Sequence, residues 1–345
     1  MEVRAGEGKA SARTRNPAGG RRACPGKGLR LDRRGEWCQF GAVPDEKLEA
    51  LRARLREYGS CLIAYSGGVD SVFLAVVAHQ TLGERALAVI ADSPSLPRQE
   101  LAEALELGRR FGFPVRVVRT REFENPNYLA NPIDRCYFCK TELFDVLVPL
   151  ARAEGFAVIV YGENASDVGD WRPGARAAAE HQVRAPLKEV GLTKSEIRAL
   201  SAAMGLPTAD KPQMACLSSR VPYGEAVTPE KLRMIEAAEA VLRGLGFRDV
   251  RVRHHELPGA APEARALPTP VSAETAGRRP GPALARIEVG PDELPRFLAD
   301  GVALRVAEAL KQIGYAHVTV DLQGYRRGSL NEGTPAAGPG RKPVG

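Results

Sequence analysis

The chain has 345 residues, a formal net charge of +7 and six cysteines, and 44% of its residues are hydrophobic. This length suits a globular protein of two domains, and no apolar run is long enough to span a bilayer or to act as an ordinary signal peptide. We therefore expect a cytoplasmic protein, in which cysteines serve metal or sulfur chemistry more often than disulfides.

The positive charge is concentrated at the start of the chain. Residues 1–35 contain ten Lys or Arg and three Asp or Glu, so the remainder has no net charge. Residues 1–42 are rich in Arg, Gly and Pro, which predicts a disordered basic extension. The neutral remainder does not indicate a nucleic-acid groove.

Strands and helices alternate after a charged helix predicted at 45–57. Apolar runs predict strands at 60–65, 86–91, 114–118 and 156–161, and helical periodicity predicts helices at 70–82, 98–111, 137–154 and 194–205. Four strands with helical crossovers indicate an α/β domain at 43–206, built on a doubly wound parallel sheet. Such a sheet binds ligands at the carboxyl ends of its strands.

A smaller C-terminal α/β domain is predicted at 207–330. It begins with a turn-rich segment at about 206–227, called the bridge here. Its predicted elements are a helix at 229–245, strands at 249–254 and 285–289, a helix at 292–313 and a strand at 316–322. The loop at 257–284 is predicted to be flexible, and residues 331–345 are predicted to form a disordered tail.

A glycine-rich hexapeptide joins the first strand of the sheet to the next helix. Backbone N–H groups and the helix dipole favour an anion at such a turn, and two glycines allow its close approach. A glycine turn without a ligand is the alternative, but the strand–loop–helix context favours a phosphate site. Asp92 follows the second strand at the same edge. The hexapeptide comprises Ser66, Gly67, Gly68, Val69, Asp70 and Ser71.

Three cysteines form a second candidate site. Cys136 and Cys139 lie three apart at the start of a predicted helix, where the dipole favours thiolate, and Cys216 lies in the bridge. The pair alone could be a redox pair, half of a zinc site or two buried thiols. Three thiolates can hold a [4Fe–4S] cluster with one iron left free of protein ligands.

Two groups of polar residues lie near the predicted strand ends. Asn164, Asp167, Asp170 and Arg172 follow the fourth strand, although helix capping explains part of this group. Arg251 and Arg253 alternate on one face of a strand, where they could bind a phosphate or carboxylate bidentately. A solvated edge strand is the alternative interpretation of these two arginines.

The hexapeptide SGGVDS resembles the PP-loop of the ATP pyrophosphatases, and residues 45–330 resemble the LarE family of sulfur transferases in nickel-pincer cofactor synthesis. The resemblance implies a PP-loop, adenine nucleotide α hydrolase-like fold that uses ATP and Mg²⁺. The implied reaction adenylates a carboxylate of pyridinium-3,5-biscarboxylic acid mononucleotide and converts it to a thiocarboxylate. The matching motifs are SGGVDS, RCYFCK, GENASDVGDWRPG, APLKEVGLTKSEIRAL, DKPQMACLSSRVPYG, VRVRHH, ARIEV and VTVDLQGYRRG.

The resemblance also implies roles for single residues. The hexapeptide and Asp92 would bind ATP, Asp70 and Cys216 would act in catalysis, and Cys216 stands at the family's sulfur-donor position. Members with that cysteine alone give up its sulfur and are left with dehydroalanine. Members with three cysteines hold a [4Fe–4S] cluster, and Cys136 and Cys139 give this chain the same set. Substrate binding would fall to Asp170, Arg172, Arg251 and Arg253.

Two alternatives come from other functional classes. Some tRNA thiolases also join a PP-loop to three cysteines, although the neutral core argues against tRNA as a partner. A non-catalytic nucleotide-binding module with a zinc site is the second alternative. We expect a small-molecule mononucleotide as the partner, no membrane and no nucleic acid, and the family suggests a homo-oligomer.

Overall fold

The strands and helices are those of a computed structural model that describes residues 29–31, 37–39, 45–168, 172–212, 215–258, 282–299 and 301–326. The strands are β1 (Leu29–Leu31), β2 (Trp37–Gln39), β3 (Cys61–Ala64), β4 (Ala86–Asp92), β5 (Val115–Arg119), β6 (Val158–Tyr161), β7 (Val250–Glu256), β8 (Ala283–Val289) and β9 (His317–Val320). The helices are α1 (Asp45–Tyr58), α2 (Val69–Leu82), α3 (Arg98–Phe111), α4 (Pro126–Leu129), α5 (Arg135–Glu154), α6 (Pro173–Glu180), α7 (Pro186–Glu189), α8 (Lys194–Ala203), α9 (Pro229–Gly244), α10 (Leu294–Leu298) and α11 (Val302–Ile313).

The segment predicted to be a disordered extension contains two short strands. β1 and β2 pair in antiparallel register, with Leu29 opposite Gln39. The structure therefore differs from the prediction at these six residues, because paired backbone groups hold them in an extended conformation. They belong to a unit that ends at Val43, and all later elements belong to a unit that begins at Pro44.

The predicted doubly wound sheet is confirmed. Its strand order is β5-β4-β3-β6, and all neighbouring strands are parallel. Successive side chains of β3 point to opposite faces, as the strand period of two requires. Cys61 and Ile63 pack with α1, α2, α3 and α8, whereas Leu62 and Ala64 pack with α5 and α6. Burial on both faces explains why β3 and β4 are continuous apolar runs.

A three-stranded sheet follows in the C-terminal part of the chain. Its order is β7-β8-β9, with β7 and β8 antiparallel and β8 and β9 parallel. Leu242 of α9 and Leu310 of α11 are fully buried in a core with Val252 and Ile287 of the strands. The sheet therefore has its own apolar core, although the predicted domain boundaries at 206 and 207 stay predictions.

The predicted long helix at 292–313 is wrong. α10 ends at Leu298 and α11 begins at Val302, and between them Gly301 has a φ of +67°. Such a backbone angle breaks helical geometry and favours glycine, so the apolar periodicity on either side belongs to two helices. The prediction also missed α4, α6 and α7, which are too short to show a clear period.

The two segments predicted to be flexible lie mostly outside the described residues. Of the loop predicted at 257–284, residues 259–281 are outside, and residues 283–284 belong to β8. The tail predicted at 331–345 is entirely outside. Within the described ranges, no helix combines the length and the apolar character that crossing a membrane requires.

Candidate active site

The loop between β3 and α2 has a conformation that requires glycine. Gly67 has a φ of +70°, and a Cβ at this position would lie 2.9 Å from the Cβ of Ala104 in α3. The Oγ atoms of Ser66 and Ser71 lie 3.1 Å apart, and Ser71 Oγ donates to the carbonyl of Gly68 at 3.1 Å. The glycines and serines therefore fold this loop back onto itself.

Helix α2 begins at Val69, directly after the loop, with Gly68 at its N-cap. No side chain of the described residues caps this helix. An uncapped start leaves backbone N–H donors at the positive end of the helix dipole. The loop and helix together therefore provide the donors of an anion site, as the sequence predicts.

Asp70, in the first turn of α2, has one satisfied and one unsatisfied oxygen. Its Oδ2 accepts a hydrogen bond from Lys194 Nζ at 2.6 Å, while its Oδ1 is buried without a hydrogen-bond partner among the described residues. Desolvation raises the pKa of this carboxyl, although Lys194 opposes the rise. A buried oxygen without a partner is costly, and Mg²⁺ prefers carboxylate oxygen. Asp70 could therefore be a ligand of the Mg²⁺ that the family resemblance implies.

A first cavity of about 370 Å³ opens at the loop. It brings together the loop, the start of α3, the segment after β6, the start of α8 and the bridge. Asp70 and Cys216 both line it, which joins the predicted ATP site to the predicted sulfur position. Its other lining residues are Ser66, Gly68, Val69, Leu96, Pro97, Glu100, Asn164, Ser166, Asp167, Arg172, Lys194, Lys211, Pro212 and Ala215.

A second cavity, also of about 370 Å³, is lined in part by the same loop. It shares Ser66, Gly68, Asp70 and Arg172 with the first cavity, and Cys136 is among the residues it adds. The two cavities therefore meet at the loop. The remaining lining residues are Ala64, Tyr65, Ser71, Lys140, Leu143, Tyr161, Gly162, Glu163, Pro173, Gly174 and Ala175.

Two lysines of the first cavity were not predicted as site residues. Lys194 pairs with Asp70, and Lys211 Nζ lies 2.6 Å from Glu100 and 3.1 Å from Glu103. Desolvation lowers the pKa of Lys211, but these two glutamates raise it by more, so the ammonium stays charged. Lys194 lies within the matching motif APLKEVGLTKSEIRAL and Lys211 within DKPQMACLSSRVPYG, but neither lysine was assigned a role from the sequence.

The three candidate cysteines lie close enough for their charges to interact. Cys136 is exposed and lines the second cavity, whereas Cys139 is half-buried and packs against an apolar cluster that includes Tyr128 and Leu217. Cys216 is half-buried and lines the first cavity. The structure therefore brings the bridge cysteine and the helix pair to the same region of the molecule.

The predicted stabilisation of thiolate at the start of α5 is not confirmed. Desolvation raises the pKa of the Cys139 thiol to about 12, and negative charge on Cys216 would raise it further. Desolvation also raises the pKa of Cys136, against the opposing charges of Arg135 and Lys140. At both thiols the pKa therefore shifts in the direction opposite to the one that the helix dipole favours.

The cysteines do not complete a metal site as they stand. Within the described residues, no three His, Cys, Asp or Glu side chains are arranged to hold a metal ion. The predicted [4Fe–4S] cluster therefore stays a prediction.

The polar residues after β6 divide between capping and the cavities. Asn164 and Asp167 form a capping box, with Ser166 N–H donating to Asn164 Oδ1 at 2.9 Å and Asn164 N–H donating to Asp167 Oδ2 at 3.1 Å. Arg172 lines both cavities and pairs with Asp167 at 2.5 Å. Asp170 lies outside the described residues. The capping interpretation is thus confirmed for two of the four.

Asp92 lies at the predicted strand end, but its carboxylate binds Arg98. It is the last residue of β4, and its Oδ1 accepts a hydrogen bond from Arg98 at 2.5 Å. It is not among the described residues that line either cavity. Its predicted contact with ATP stays a prediction.

Arg251 and Arg253 are buried, so the interpretation of β7 as a solvated edge strand is wrong. Arg253 binds Glu288 bidentately, at 3.1 and 2.9 Å, and donates to the carbonyl of Ser219 at 2.8 Å. The guanidinium of Arg251 lies 4.8 Å from the centre of the Tyr325 ring. Neither arginine is among the described residues lining the cavities. The alternation of Arg251 and Arg253 along the strand predicted that both lie on one face. It did not predict which residues cover that face.

Comparison with known proteins finds relatives that match most of the chain. No family model matches the sequence. An uncharacterised protein of Synechocystis sp. is 42% identical over 83% of this chain and 97% of its own length. The pyridinium-3,5-bisthiocarboxylic acid mononucleotide synthase of Lactiplantibacillus plantarum is 30% identical over 83% of this chain and 94% of its own length. A glutamine-hydrolysing GMP synthase component from Methanopyrus kandleri is 29% identical over 57% of this chain and 67% of its own length.

Proposed function

Because this chain belongs to the LarE family of pyridinium-3,5-bisthiocarboxylic acid mononucleotide synthases, we propose that it is an ATP-dependent sulfur transferase acting on a pyridinium carboxylate mononucleotide. The observation that carries the proposal is the first cavity, where the loop residue Asp70 and the bridge residue Cys216 meet. A thiol beside an ATP-binding loop suits a reaction that activates an acid and then captures it with sulfur. The relatives favour this substrate over tRNA.

The loop would hold the phosphates of ATP. The uncapped start of α2 offers N–H donors, and Lys194 and Lys211 add positive charge within the same cavity. Both lysines are now held by carboxylates, Lys194 by Asp70 and Lys211 by Glu100. Phosphate oxygens would compete for the same ammonium groups. Charge on the departing pyrophosphate would thus be stabilised by groups that are already in place.

The first chemical step would be adenylation. A carboxylate oxygen of the substrate attacks the α-phosphorus of ATP, the bond from that phosphorus to the bridging oxygen breaks, and pyrophosphate leaves with the electron pair. The product is an acyl adenylate, in which AMP is a good leaving group. Mg²⁺ held by Asp70 Oδ1 would neutralise charge on the phosphates. Release of AMP and pyrophosphate is part of this proposal.

The second step would be capture by sulfur. The thiolate of Cys216 would attack the acyl carbon, the bond from that carbon to the AMP oxygen breaks, and AMP leaves with the electron pair, which gives a thioester. Loss of the Cα proton of Cys216 and cleavage of its Cβ–Sγ bond would then release the thiocarboxylate and leave dehydroalanine in the chain. Holding the two reactants in one cavity converts a bimolecular attack into a local one. Water competes for the same acyl carbon, so the placement of Cys216 decides whether the adenylate yields a thiocarboxylate or returns to the acid.

A [4Fe–4S] cluster on Cys136, Cys139 and Cys216 stays a prediction from the family resemblance. No step above depends on it, because these side chains do not form a metal-binding group in the described part of the chain. Arg251 and Arg253 stay predicted substrate contacts, although both are committed to protein partners. Homo-oligomerisation and a cytoplasmic location also stay predictions.

Isotope exchange tests the adenylation step. Labelled pyrophosphate should enter ATP only when the enzyme, Mg²⁺ and the pyridinium dicarboxylate mononucleotide are all present, because exchange requires a reversible acyl adenylate. The corresponding carboxamide mononucleotide is the matched control, since it carries the same phosphate but no acid to adenylate. Exchange that proceeds equally with the carboxamide, or no exchange with the dicarboxylate, would contradict the proposal.

A further inference from the structure

The segment that carries Cys216 is held by its backbone carbonyls. The carbonyl oxygen of Cys216 accepts hydrogen bonds from the N–H and Oγ of Ser219, at 3.0 and 2.7 Å, and from Arg220 at 2.9 Å. On the other side of the same peptide, Leu217 N–H donates to the carbonyl of Ser95 at 2.9 Å. The peptide that follows Cys216 is thus fixed at both its carbonyl and its N–H.

Arg220 makes the most extensive of these contacts. One terminal nitrogen donates to the carbonyls of Ala215, at 2.5 Å, and Cys216, while its Nε and other terminal nitrogen bind Glu239 at 2.8 and 3.2 Å. The side chains of Arg220 and Glu239 are both fully buried. A planar guanidinium can make both sets of contacts, because one edge of it binds a carboxylate while its remaining N–H donors bind carbonyls.

The burial of this pair calls for an explanation other than stability. Removing two charges from water is expensive, and a buried ion pair is often no more stable than a well-packed apolar pair. Glu239 is also bound by Arg243, at 2.8 Å, and by the backbone N–H of Val252 in β7, at 3.2 Å. The pair therefore connects the Cys216 segment to α9 and β7, and this connection fixes the position of the segment.

Two further buried arginines hold the same segment from other elements. Arg135, at the start of α5, donates to the carbonyl of Ser218 at 2.9 Å, and Arg253 of β7 donates to that of Ser219 at 2.8 Å. With Arg220, three arginines thus bind carbonyls along residues 215–219. Contacts from three elements leave the backbone around Cys216 little freedom to shift.

We propose that Arg220 is a positioning residue that fixes Cys216 at the first cavity, so that sulfur captures the acyl adenylate before water does. This inference rests on the proposed function. It assigns Arg220 no contact with substrate, and it predicts a specific defect. A change at Arg220 should leave adenylation intact and lower the fraction of adenylate that becomes thiocarboxylate.

The test measures pyrophosphate and thiocarboxylate together, in the full-length protein with ATP, Mg²⁺ and the pyridinium dicarboxylate mononucleotide. Arg220→Lys keeps the positive charge but has three donors on one nitrogen, so it cannot bind both oxygens of Glu239 and both carbonyls as the planar guanidinium does. We expect pyrophosphate release within about threefold of wild type, and thiocarboxylate per pyrophosphate to fall on the order of a hundredfold, as for a misplaced reactant. Arg243→Met is the matched control, because it removes the other arginine on Glu239 without touching a carbonyl of the segment.

Ser219→Ala provides an independent variant that leaves the buried pair in place. It removes the Oγ hydrogen bond to the Cys216 carbonyl, and the same ratio should fall about fivefold, the value of roughly one hydrogen bond. If circular dichroism shows that Arg220→Lys is unfolded, the ratio of thiocarboxylate to pyrophosphate in Ser219→Ala tests the proposal by itself.

Three results would overturn the inference. The first is an unchanged ratio in a folded Arg220→Lys, the second is an unchanged ratio in Ser219→Ala, and the third is an equal fall in Arg243→Met. A parallel loss of pyrophosphate and thiocarboxylate in folded Arg220→Lys is one form of the first result and would indicate a purely structural role. Failure of wild type to make thiocarboxylate would instead contradict the proposed function, so the two failures are distinguishable.

Discussion

Lys194 Nζ lies 2.6 Å from Oδ2 of Asp70, although 124 residues separate the two in the chain. This contact places the start of α8 against the start of α2, and it occupies one carboxylate oxygen while the other stays buried without a hydrogen-bond partner among the described residues. The same aspartate can therefore keep its lysine and accept a metal ion on its second oxygen. The arrangement brings opposite charges to the place where phosphates would bind.

Asp70→Asn should keep the fold and lose pyrophosphate release. An amide is uncharged and a weak ligand for Mg²⁺, so the rate of pyrophosphate release should fall by about a hundredfold or more. A coupled pyrophosphate assay over a range of Mg²⁺ concentrations measures this. Asp145→Asn is the control, because Asp145 is exposed and pairs with His181 away from both cavities. A wild-type rate in Asp70→Asn would remove Asp70 from the reaction.

Lys194→Met and Lys211→Met should each lower kcat/KM for ATP by about tenfold to a hundredfold. Each change removes a positive charge from the first cavity, and charged hydrogen bonds to phosphate are worth more than neutral ones. Steady-state kinetics with varied ATP measures the effect. Lys47→Met is the matched control, since Lys47 pairs with Glu196 of α8 but lines neither cavity. Equal kinetics in all three variants would exclude the lysines from ATP binding.

The iron content of cysteine variants tests the predicted cluster. If Cys136, Cys139 and Cys216 share one cluster, changing any one of them to Ala should lower the iron content of anaerobically purified protein, because the cluster depends on each thiolate. Cys61→Ala is the control, because Cys61 is buried in the sheet core. Full iron content in Cys216→Ala would restrict Cys216 to sulfur donation, and turnover would then leave the wild-type chain lighter by the mass of one hydrogen sulfide.

Protonation of the buried His254 side chain should lower the free energy of unfolding in mild acid. Burial lowers its pKa to about 4, with Lys231 adding to the effect, whereas an unfolded chain has the ordinary value near 6.5. The unfolded state therefore binds the proton more tightly, and stability is lost as pH falls from about 6.5 to 4, by about 3 kcal/mol. Urea unfolding across this range should show a shallower fall in His254→Gln. His317→Gln, at an exposed site, should follow wild type, and identical pH profiles for all three proteins would contradict the assignment.

The sequence predicted local structure well because the determinants were local. The apolar run of β3, the glycines of the loop and the helical period of α2 are contiguous, so the strand–loop–helix unit could be placed within a few residues. The capping box of α8, in which Thr193 is followed three residues later by Glu196, is likewise a local pattern and is present in the structure. Each of these features depends on neighbours within one or two turns.

Features that depend on distant neighbours were missed. Arg253 was assigned to substrate binding from the family resemblance, and its spacing on the strand does not show that Glu288, 35 residues later, binds its guanidinium. The thiol pKa of Cys139 was expected to fall because the helix start is visible in sequence, whereas the apolar cluster around it is not. Lys194 and Lys211 were missed because their relation to Asp70 and Glu100 exists only after folding.

The most direct test of the account is the mass of the mononucleotide product. Enzyme, ATP, Mg²⁺ and pyridinium-3,5-biscarboxylic acid mononucleotide are incubated anaerobically, and the mononucleotide is analysed by mass spectrometry. The account predicts a product in which sulfur has replaced a carboxylate oxygen, formed with release of AMP and pyrophosphate and lost in Cys216→Ala. An unchanged mononucleotide, with the same enzyme preparation transferring sulfur to tRNA, would contradict it.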